Sequence, residues 1–354
     1  MLGVSVYLAE DLDYNLSYLN QMKNFGVKTI FTSLHLEDIN KSEAYDKLLK
    51  ISEKIRENDQ ELMVDISNNT LKIFEIDFDH LKGFLDQFKI KTLRIDFGFS
   101  PREIEVLSRD YKIVLNASTI DLDYKIELEE AGLNLNEISL CHNFYPRLDT
   151  GLSEQSLKEK NDFLRSLGFK IQAFIPGDKI KRGPFREGLP TVEDHRFLDP
   201  FLAYVKMKED FAIDEILLGD IAMNDRSLAK IMDFEKNKII NLTIKQLFEI
   251  PEAAKDVFYG IHQNRDDYSD RVVRASQTRL AIKEKIKAKN TIKRKAGSIT
   301  IDNEDYLRYN GELQIAMVDL KEDKRVNVIG YIKDCDIELL SYIKNKYSFR
   351  FIKA

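Results

Sequence analysis

Acidic side chains follow several of the short apolar runs in the first two thirds of the chain. Asp65 and Asp96 end the third and fourth runs, Glu10 follows the first, and Asp220 follows the eighth. If these runs are parallel strands, their carboxyl ends meet at one rim and bring the acids together. A glycosidase needs two carboxyl groups in such a place, one as the acid and one as the nucleophile or base. The pattern predicts Asp65 and Asp96 as the catalytic pair, with Glu10 as the substitute for either; for any single acid the alternative is a helix cap or an ion pair with Arg94.

A second polar cluster lies at 141–147, where Cys-His-Asn-Phe-Tyr-Pro-Arg follows a short apolar run. A buried strand has no use for an imidazole, an amide, a phenol and a guanidinium in close succession. The end of a strand that enters a ligand-binding loop does, and His142, Asn143 and Arg147 are the candidates for contact with a polar, anionic ligand. The alternative is a turn closed by Pro146, in which Arg147 pairs with a nearby carboxylate.

The other predicted strand ends are polar as well. They carry Ser33, His35, Arg94, Asn116, Ser118 and Asp178. The loop at 176–196 is rich in glycine, proline and cations, including Lys179, Lys181, Arg182 and Arg186. Barrels often bind phosphate with the loops after strands seven and eight, through backbone N–H groups and a helix start. The loop is therefore predicted to bind an anion, the alternative being a rigid structural lid.

Eight short apolar runs alternate with amphipathic, helix-like segments. The runs lie at 3–8, 29–34, 62–66, 92–97, 112–115, 138–140, 170–175 and 215–218. Several helical segments end in glycine, as at Gly26, Gly132 and Gly168, which is the usual left-handed stop. Eight strand–helix units predict an α/β fold, a (β/α)₈ TIM barrel, over an open doubly wound sheet, because no G-x-G-x-x-G follows the first strand.

The rhythm changes after residue 239. Runs at 297–301, 312–319 and 326–332 resemble strands separated by turn residues. We therefore predict two domains, a TIM-barrel catalytic domain at 1–245 and a small, mainly β domain at 246–354. The basic run at 282–295 lacks the interleaved aromatic residues of a nucleic-acid site, so it is interpreted as a solvated, substrate-facing surface.

Composition narrows the possible partners. The 354 residues carry a net charge of −6, so no global positive field favours nucleic acid or an anionic membrane. No apolar run approaches the length of a membrane span, and the N-terminus lacks the basic start of a signal peptide. Cys141 and Cys335 match no zinc spacing. The sequence predicts a cytoplasmic protein with no metal and no cofactor, and it predicts no oligomeric state.

Ordered motifs run through nearly the whole chain. They are RIDFGFS (94–100), LNAST (115–119), CHNFYPR (141–147), TGLSE (150–154), FIPGD (174–178), RGP (182–184), EGLPTVEDHR (187–196), ITIDNEDYLRYNGELQI (299–315) and RVNVIG (325–330). With these motifs the chain resembles the bacterial 6-phospho-N-acetylmuramidase family. The resemblance implies a TIM barrel followed by a cyclophilin-like β domain. It also implies a cytoplasmic cell-wall recycling enzyme that cleaves the β-1,4 bond of N-acetylmuramic acid 6-phosphate–N-acetylglucosamine.

Such a phosphorylated amino-sugar disaccharide suggests roles for the polar rim. Asn116, His142 and Asn143 would bind sugar hydroxyls or the acetamido group, and Arg147 and Arg182 the phosphate or the lactyl carboxylate. The predicted substrate-binding set is completed by His35, Arg94 and Asp220. Two alternatives remain: a divalent-metal phosphosugar isomerase or hydrolase using His35, His142, Asp65 and Asp220, and a non-catalytic phosphosugar-binding protein.

Overall fold

The computed structural model describes residues 1–35, 40–344 and 346–353. The chain divides into two compact units, Met1–Leu228 and Ala229–Ala354. The first unit contains a closed barrel and the second an open, mainly antiparallel sheet. No helix within the described ranges combines the length and apolar character needed to cross a bilayer.

In the described residues of the first unit, eight parallel strands pair in chain order, and β8 pairs with β1 to close the barrel. The strands are β1 (Leu2–Ser5), β2 (Thr29–Ser33), β3 (Glu61–Ile66), β4 (Thr92–Ile95), β5 (Lys112–Asn116), β6 (Ser139–Cys141), β7 (Lys170–Ile175) and β8 (Glu215–Leu218). Each overlaps one of the predicted apolar runs and extends at most one residue beyond it. The TIM-barrel prediction is confirmed.

Helices alternate with these strands. They are α1 (Leu12–Asn24), α2 (Lys41–Glu57), α3 (Asn68–Phe74), α4 (Phe78–Gln87), α5 (Pro101–Ser108), α6 (Leu122–Glu130), α7 (Glu154–Ser166), α8 (Pro200–Glu209) and α9 (Asp225–Asn237). The start of α5 is a capping box, in which the Ser100 hydroxyl accepts the Glu103 N–H and the Glu103 carboxylate accepts the Ser100 N–H. The sequence did not predict α3, because seven residues give too short a periodic pattern.

The barrel interior contains an apolar layer. Its members are Phe31, Met63, Val114, Cys141, Phe174 and Leu217, all at most 3% exposed. Phe31 and Phe174 meet edge to face, with their ring centroids 5.3 Å apart. Because side chains alternate between the two faces of a strand, residues two positions further along point to the same side. The side chains two residues beyond this layer therefore also point into the barrel, and they lie at the carboxyl-end rim.

The described residues of the second unit form a seven-stranded sheet in the order β10-β15-β9-β14-β12-β13-β11. Its strands are β9 (Ile239–Leu247), β10 (His262–Gln263), β11 (Val272–Ala275), β12 (Ser298–Asp302), β13 (Leu313–Ala316), β14 (Val326–Ile332) and β15 (Ser348–Ile352), with short helices α10 (Lys255–Phe258), α11 (Thr278–Ala281) and α12 (Leu340–Ile343). The predicted division between residues 245 and 246 falls inside β9. This strand is apolar because it lies within the sheet, between β15 and β14.

The basic run at 282–295 lies outside helices and strands. Ile282 and Ile286 are buried at 4% and 2% exposure and attach the segment to the unit. Lysine side chains of the run are exposed, and Lys289 and Lys293 pair with Glu249 and Asp319. The charges of the run therefore face solvent or surface acids.

A buried acid in the second unit predicts pH-dependent stability. Asp302 is 2% exposed, and burial, with the charge of Glu312 added, raises its pKa to about 8. The unfolded value is about 3.9, so only the folded state holds this proton between those values. Stability is therefore expected to fall as pH rises, by up to about 1.4 kcal/mol per pH unit, and to level off above the folded pKa.

Urea denaturation of the full chain at pH 5, 7 and 9, followed by circular dichroism, measures this slope. Asp302→Asn, which mimics the neutral acid, is expected to be less sensitive to pH than the wild type. Asp323→Asn is the control, because Arg325 lowers the pKa of Asp323 to about 2, outside the tested range. An unchanged slope in Asp302→Asn would contradict the assignment.

Candidate active site

A cavity of about 460 Å³ opens at the carboxyl ends of the barrel strands. It is lined by Ser33, His35, Asp65, Arg94, Asp96, Asn143, Phe144, Tyr145, Pro146, Arg182, Gly183, Pro184, Phe185 and Leu189. The polar members follow from the strand alternation. Asp65 lies two residues beyond Met63 of the apolar layer, and Asn143 lies two beyond Cys141. The rim is thus a polar layer placed directly above an apolar one.

Arg94 connects the two predicted catalytic acids. Its Nη1 donates to Asp65 Oδ1 at 2.6 Å and lies 3.4 Å from Asp96 Oδ1, while its Nη2 donates to Asn143 Oδ1. Burial opposes the charge of Arg94, but the carboxylates outweigh this and hold its pKa above the ordinary value. Because both acids contact one nitrogen, their contacting oxygens cannot be farther apart than these 2.6 Å and 3.4 Å contacts laid end to end. This limit applies to the contacting oxygens, whereas the separation that distinguishes retaining from inverting enzymes is that of the two carboxyl groups.

The two acids differ in how open they are. The side chain of Asp65 is 7% exposed, and its second oxygen accepts the Ser33 hydroxyl at 3.3 Å. The side chain of Asp96 is 20% exposed; its Oδ1 accepts the Asn116 amide at 2.7 Å, and its Oδ2 has no hydrogen-bond partner among the described residues. The backbone N–H and the hydroxyl of Ser118 both donate to the side-chain Oδ1 of Asn116 and so fix the direction of this amide. Asp96 is therefore the acid that is free to exchange a proton with a ligand.

Arg182 is a cation without an acidic partner. Its guanidinium carbon lies 4.2 Å from the Tyr7 ring centroid and 5.8 Å from that of Phe144. Burial raises the pKa of Tyr7 to about 12, so the ring beneath the cation is uncharged. In the described ranges of the chain no carboxylate lies within 4.0 Å of the Arg182 guanidinium. An unpaired guanidinium lining a cavity suits a phosphate or carboxylate group.

Asp220 is a structural residue, which corrects its prediction as a substrate contact. It is fully buried; its Oδ2 accepts the Gly177 N–H at 2.8 Å, and its Oδ1 accepts the Arg182 N–H at 3.0 Å. Lys181 Nζ lies 3.8 Å away. A Cβ on Gly177 would stand 2.4 Å from the Ala222 carbonyl oxygen, so glycine is required where the loop passes Asp220. Asp220 thus holds the loop that carries Arg182.

His142 also lies away from the cavity. Cys141 points into the barrel, so its neighbour points outward, where His142 Nε2 meets Asn161 Oδ1 of α7 at 2.7 Å. The ring is 2% exposed, and burial lowers its pKa to about 4. The predicted contact between His142 and a sugar is therefore wrong, because the side chain is a neutral packing group between strand and helix.

Glu10 and Arg147 do not line the cavity either. Glu10 lies in a turn beyond β1, where its N–H donates to the Tyr7 carbonyl and its own carbonyl accepts Lys47 Nζ at 2.9 Å. Arg147 is exposed, and its carbonyl accepts Arg196 Nη2 at 3.1 Å. The structure thus does not support Glu10 as a substitute acid. His35, by contrast, does line the cavity, and its Nε2 is buried without a partner.

The sequence interpretation missed the role of Arg196, which is 1% exposed. Its guanidinium pairs with Glu193 and donates to the carbonyl oxygens of Tyr145 and Gly188, both at 2.9 Å, and to that of Arg147. Glu193 also accepts backbone N–H groups of the loop after β6, and Arg196, first among several donors, lowers the pKa of Glu193 to about 2. In the sequence, Arg196 is only an arginine beside a helix start. That signal does not distinguish a residue that connects two loops from one that contacts a ligand.

The four residues proposed as metal ligands do not converge. His142 and Asp220 are engaged elsewhere, whereas His35 and Asp65 line the cavity. Among the residues that the structure describes, no three His, Cys, Asp or Glu side chains are grouped as metal ligands. The rim instead presents two acids and two arginines.

Removal of the Asp220 carboxylate is expected to destabilise the barrel unit. Asp220→Ala leaves two buried backbone N–H groups without acceptors, which costs about 2–4 kcal/mol of unfolding free energy. Urea denaturation measures this loss. The control is Asp178→Ala in the loop after β7, because Asp178 also accepts a backbone N–H, from Asn224 at 2.7 Å, but is exposed. Equal losses in both variants would contradict the assigned role.

Comparison with known proteins places the chain in a family. The profile described as "6-phospho-N-acetylmuramidase, N-terminal" matches residues 2–233, and the profile described as "6-phospho-N-acetylmuramidase, C-terminal" matches residues 240–352. A comparison with curated proteins gives no significant match.

Two solved structures resemble the whole chain. A conserved protein of unknown function from Enterococcus faecalis is 32% identical, with a TM-score of 0.86 over 100% of this chain and 96% of that one. An uncharacterized protein from B. cereus is 23% identical, with a TM-score of 0.80 over 99% of both chains, and supports the fold alone. Because the two profiles together span almost every residue, the chain belongs to the 6-phospho-N-acetylmuramidase family.

Proposed function

We propose that this protein is a glycoside hydrolase that cleaves N-acetylmuramic acid 6-phosphate–N-acetylglucosamine. One observation carries the proposal: a single cavity holds a carboxyl pair, Asp65 and Asp96, together with Arg182, a cation that has no acidic partner among the described residues. The pair suits glycosidic bond cleavage, and the cation suits an anionic sugar. Membership of the family supports both parts.

Charge balance explains why the anion needs its own cation. The chain carries a net charge of −6, and of the two acids of the cavity Asp65, which the reaction needs as a carboxylate, would repel an anionic substrate. Arg94 is occupied by those acids and by Asn143, so it compensates charge that is already present. Arg182 is the guanidinium left for the phosphate or the lactyl carboxylate, and its planar fork binds two oxygens at once.

In the proposed reaction, Asp96 delivers its proton to the bridging oxygen and the N-acetylglucosamine leaves as an alcohol. The Asp65 carboxylate bonds to the anomeric carbon as the glycosidic bond breaks. Asp96 then takes a proton from water, and the water oxygen displaces Asp65 and completes hydrolysis. Two displacements retain the anomeric configuration, and this course needs the two carboxyl groups close together, as their shared contact with Arg94 favours.

The proposal requires only water as a co-substrate, with no metal and no organic cofactor. On this proposal the reaction takes place in the cytoplasm, in cell-wall recycling, where a phosphorylated disaccharide arrives through a sugar phosphotransferase system. Neither nucleic acid nor a membrane takes part. Asn116 would then orient Asp96, and Asn143 and His35 would face the sugar.

Substitution of the acids tests the chemistry. Asp96→Asn and Asp65→Asn are expected to lower kcat/KM for the phosphorylated disaccharide at least about 10³-fold, because each removes a group that acts on the reacting bond. An aryl glycoside leaves without a proton, so Asp96→Asn should regain activity on it whereas Asp65→Asn should not. Cleavage is read by mass spectrometry in the presence of chelator.

The control is Asp178→Asn, an exposed acid with no place in the cavity. Near-wild-type rates in both Asp65→Asn and Asp96→Asn would remove the proposed pair. Tight binding of the intact disaccharide by the wild type without any cleavage would instead indicate a phosphosugar-binding protein.

Substitution of Arg182 tests anion recognition. Arg182→Gln is expected to lower kcat/KM for the phosphorylated disaccharide by about 10–100-fold through loss of charge-assisted hydrogen bonds. The unphosphorylated disaccharide shows which anionic group Arg182 binds. If Arg182 binds the phosphate, Arg182→Gln should not change cleavage of this sugar; if it binds the lactyl carboxylate, cleavage should fall. Arg186→Gln, an exposed cation in the same loop, is the control. Unaltered kinetics in Arg182→Gln on both sugars would exclude the role.

A further inference from the structure

One face of the second unit's sheet carries polar side chains. Arg274 of β11 pairs with Gln314 of β13, which pairs with Thr300 of β12, so these three side chains share a face. The opposite face of the same strands carries an apolar row of Val273, Ile315 and Ile299. Because the opposite face supplies the apolar packing, the first face is left to polar groups.

Glu312 is the centre of this polar face and is fully buried. Its Oε1 accepts Arg274 Nε at 2.8 Å and Gln314 Nε2 at 3.1 Å, and its Oε2 lies 3.3 Å from Arg279 Nη1 of α11. A buried carboxylate without such partners would cost several kcal/mol. Glu312 therefore accepts a hydrogen bond from Arg274 and forms an ion pair with Arg279, while its Oε2 has no hydrogen-bond partner among the described residues.

Both guanidiniums keep unused donors. Arg274 contacts Glu312 through Nε alone, and Arg279 through Nη1 alone; their side chains are 24% and 26% exposed. Two other pairs in this chain are closed by two nitrogens, Arg109 on Glu105 and Arg325 on Asp323. The remaining N–H groups of Arg274 have no partner among the described residues.

The surroundings of the two arginines also favour an anion. The Arg279 guanidinium lies 5.3 Å from the Tyr309 ring centroid. Asp302 and Ser298 are buried on the same unit, and Asp302 Oδ1 and Ser298 Oγ have no hydrogen-bond partner. Since burial raises the pKa of Asp302 to about 8, this acid is mostly uncharged at neutral pH. The two arginines, Glu312 and Asp302 therefore carry a net positive charge.

We propose that Arg274 and Arg279, oriented by Glu312, form an oxyanion-binding site for a phosphate or carboxylate group. Two guanidiniums held by one carboxylate present free N–H edges, the arrangement that binds planar or tetrahedral oxyanions in two-point contact. The site is built within the second unit and requires none of the barrel's catalytic acids, so it does not depend on the proposed hydrolase reaction.

The test measures oxyanion binding to the full chain without turnover. Arg182→Gln is the starting variant, because it removes the cation of the barrel cavity. Inorganic phosphate and lactate are titrated separately by calorimetry, which distinguishes a phosphate site from a carboxylate site. Arg182→Gln is expected to bind one of the two, and Arg182→Gln with Arg279→Gln is expected to bind it at least 10-fold more weakly.

Two further variants separate binding from folding. Arg279→Lys keeps the charge beside Glu312 but loses the planar fork, so it should weaken binding while the circular dichroism spectrum stays unchanged. Arg308→Gln is the matched control, because Arg308 is exposed and lies 5.0 Å from the centroid of the same Tyr309 ring without contacting Glu312. The proposal is overturned if Arg182→Gln binds neither anion, or if removal of Arg279 leaves its affinity unchanged.

Discussion

The buried charge of Arg94 is the interaction on which the barrel site depends. Two carboxylates from adjacent strands stand close together only because one guanidinium nitrogen contacts both. Its other end binds Asn143, so a single side chain connects β3, β4 and the segment after β6. Without this cation, the separation of the acids would be set by their mutual repulsion rather than by the geometry of the barrel.

Charged side chains in this protein divide into two kinds according to how fully they are bonded. Asp220 and Arg196 are buried and use their polar atoms on backbone groups, so they hold loops in place. Arg182, Arg274 and Arg279 are partly exposed and keep donors unused. Holding a guanidinium in place while its N–H donors stay unbonded costs free energy, and a bound anion would offset that cost by accepting those hydrogen bonds. This contrast underlies both proposals.

Much of the barrel and part of its site could be predicted from the sequence. Eight apolar runs located every barrel strand, and Asp65, Arg94, Asp96, Asn143 and Arg182 do line the cavity. His142 could not be placed, because a one-residue difference in strand register moves a side chain to the opposite face. The positions of the Glu10 and Asp220 side chains depend on turns beyond the strand ends, and the pattern of apolar residues does not predict the conformation of such turns. In the second unit, β9 is apolar enough to resemble a barrel element, and its partners are distant in sequence.

The bonding of Arg196 has a consequence for redesign and for the evolution of related enzymes. Its guanidinium joins carbonyl oxygens after β6 to one after β7, and Glu193 adds the N–H groups of Asp149 and Gly151. The loops after β6 and β7 are therefore structurally coupled and are expected to change together. A graft that transfers either loop alone leaves donors or acceptors of the other unmatched, so an exchange of substrate preference between homologues must carry both loops together with Arg196 and Glu193.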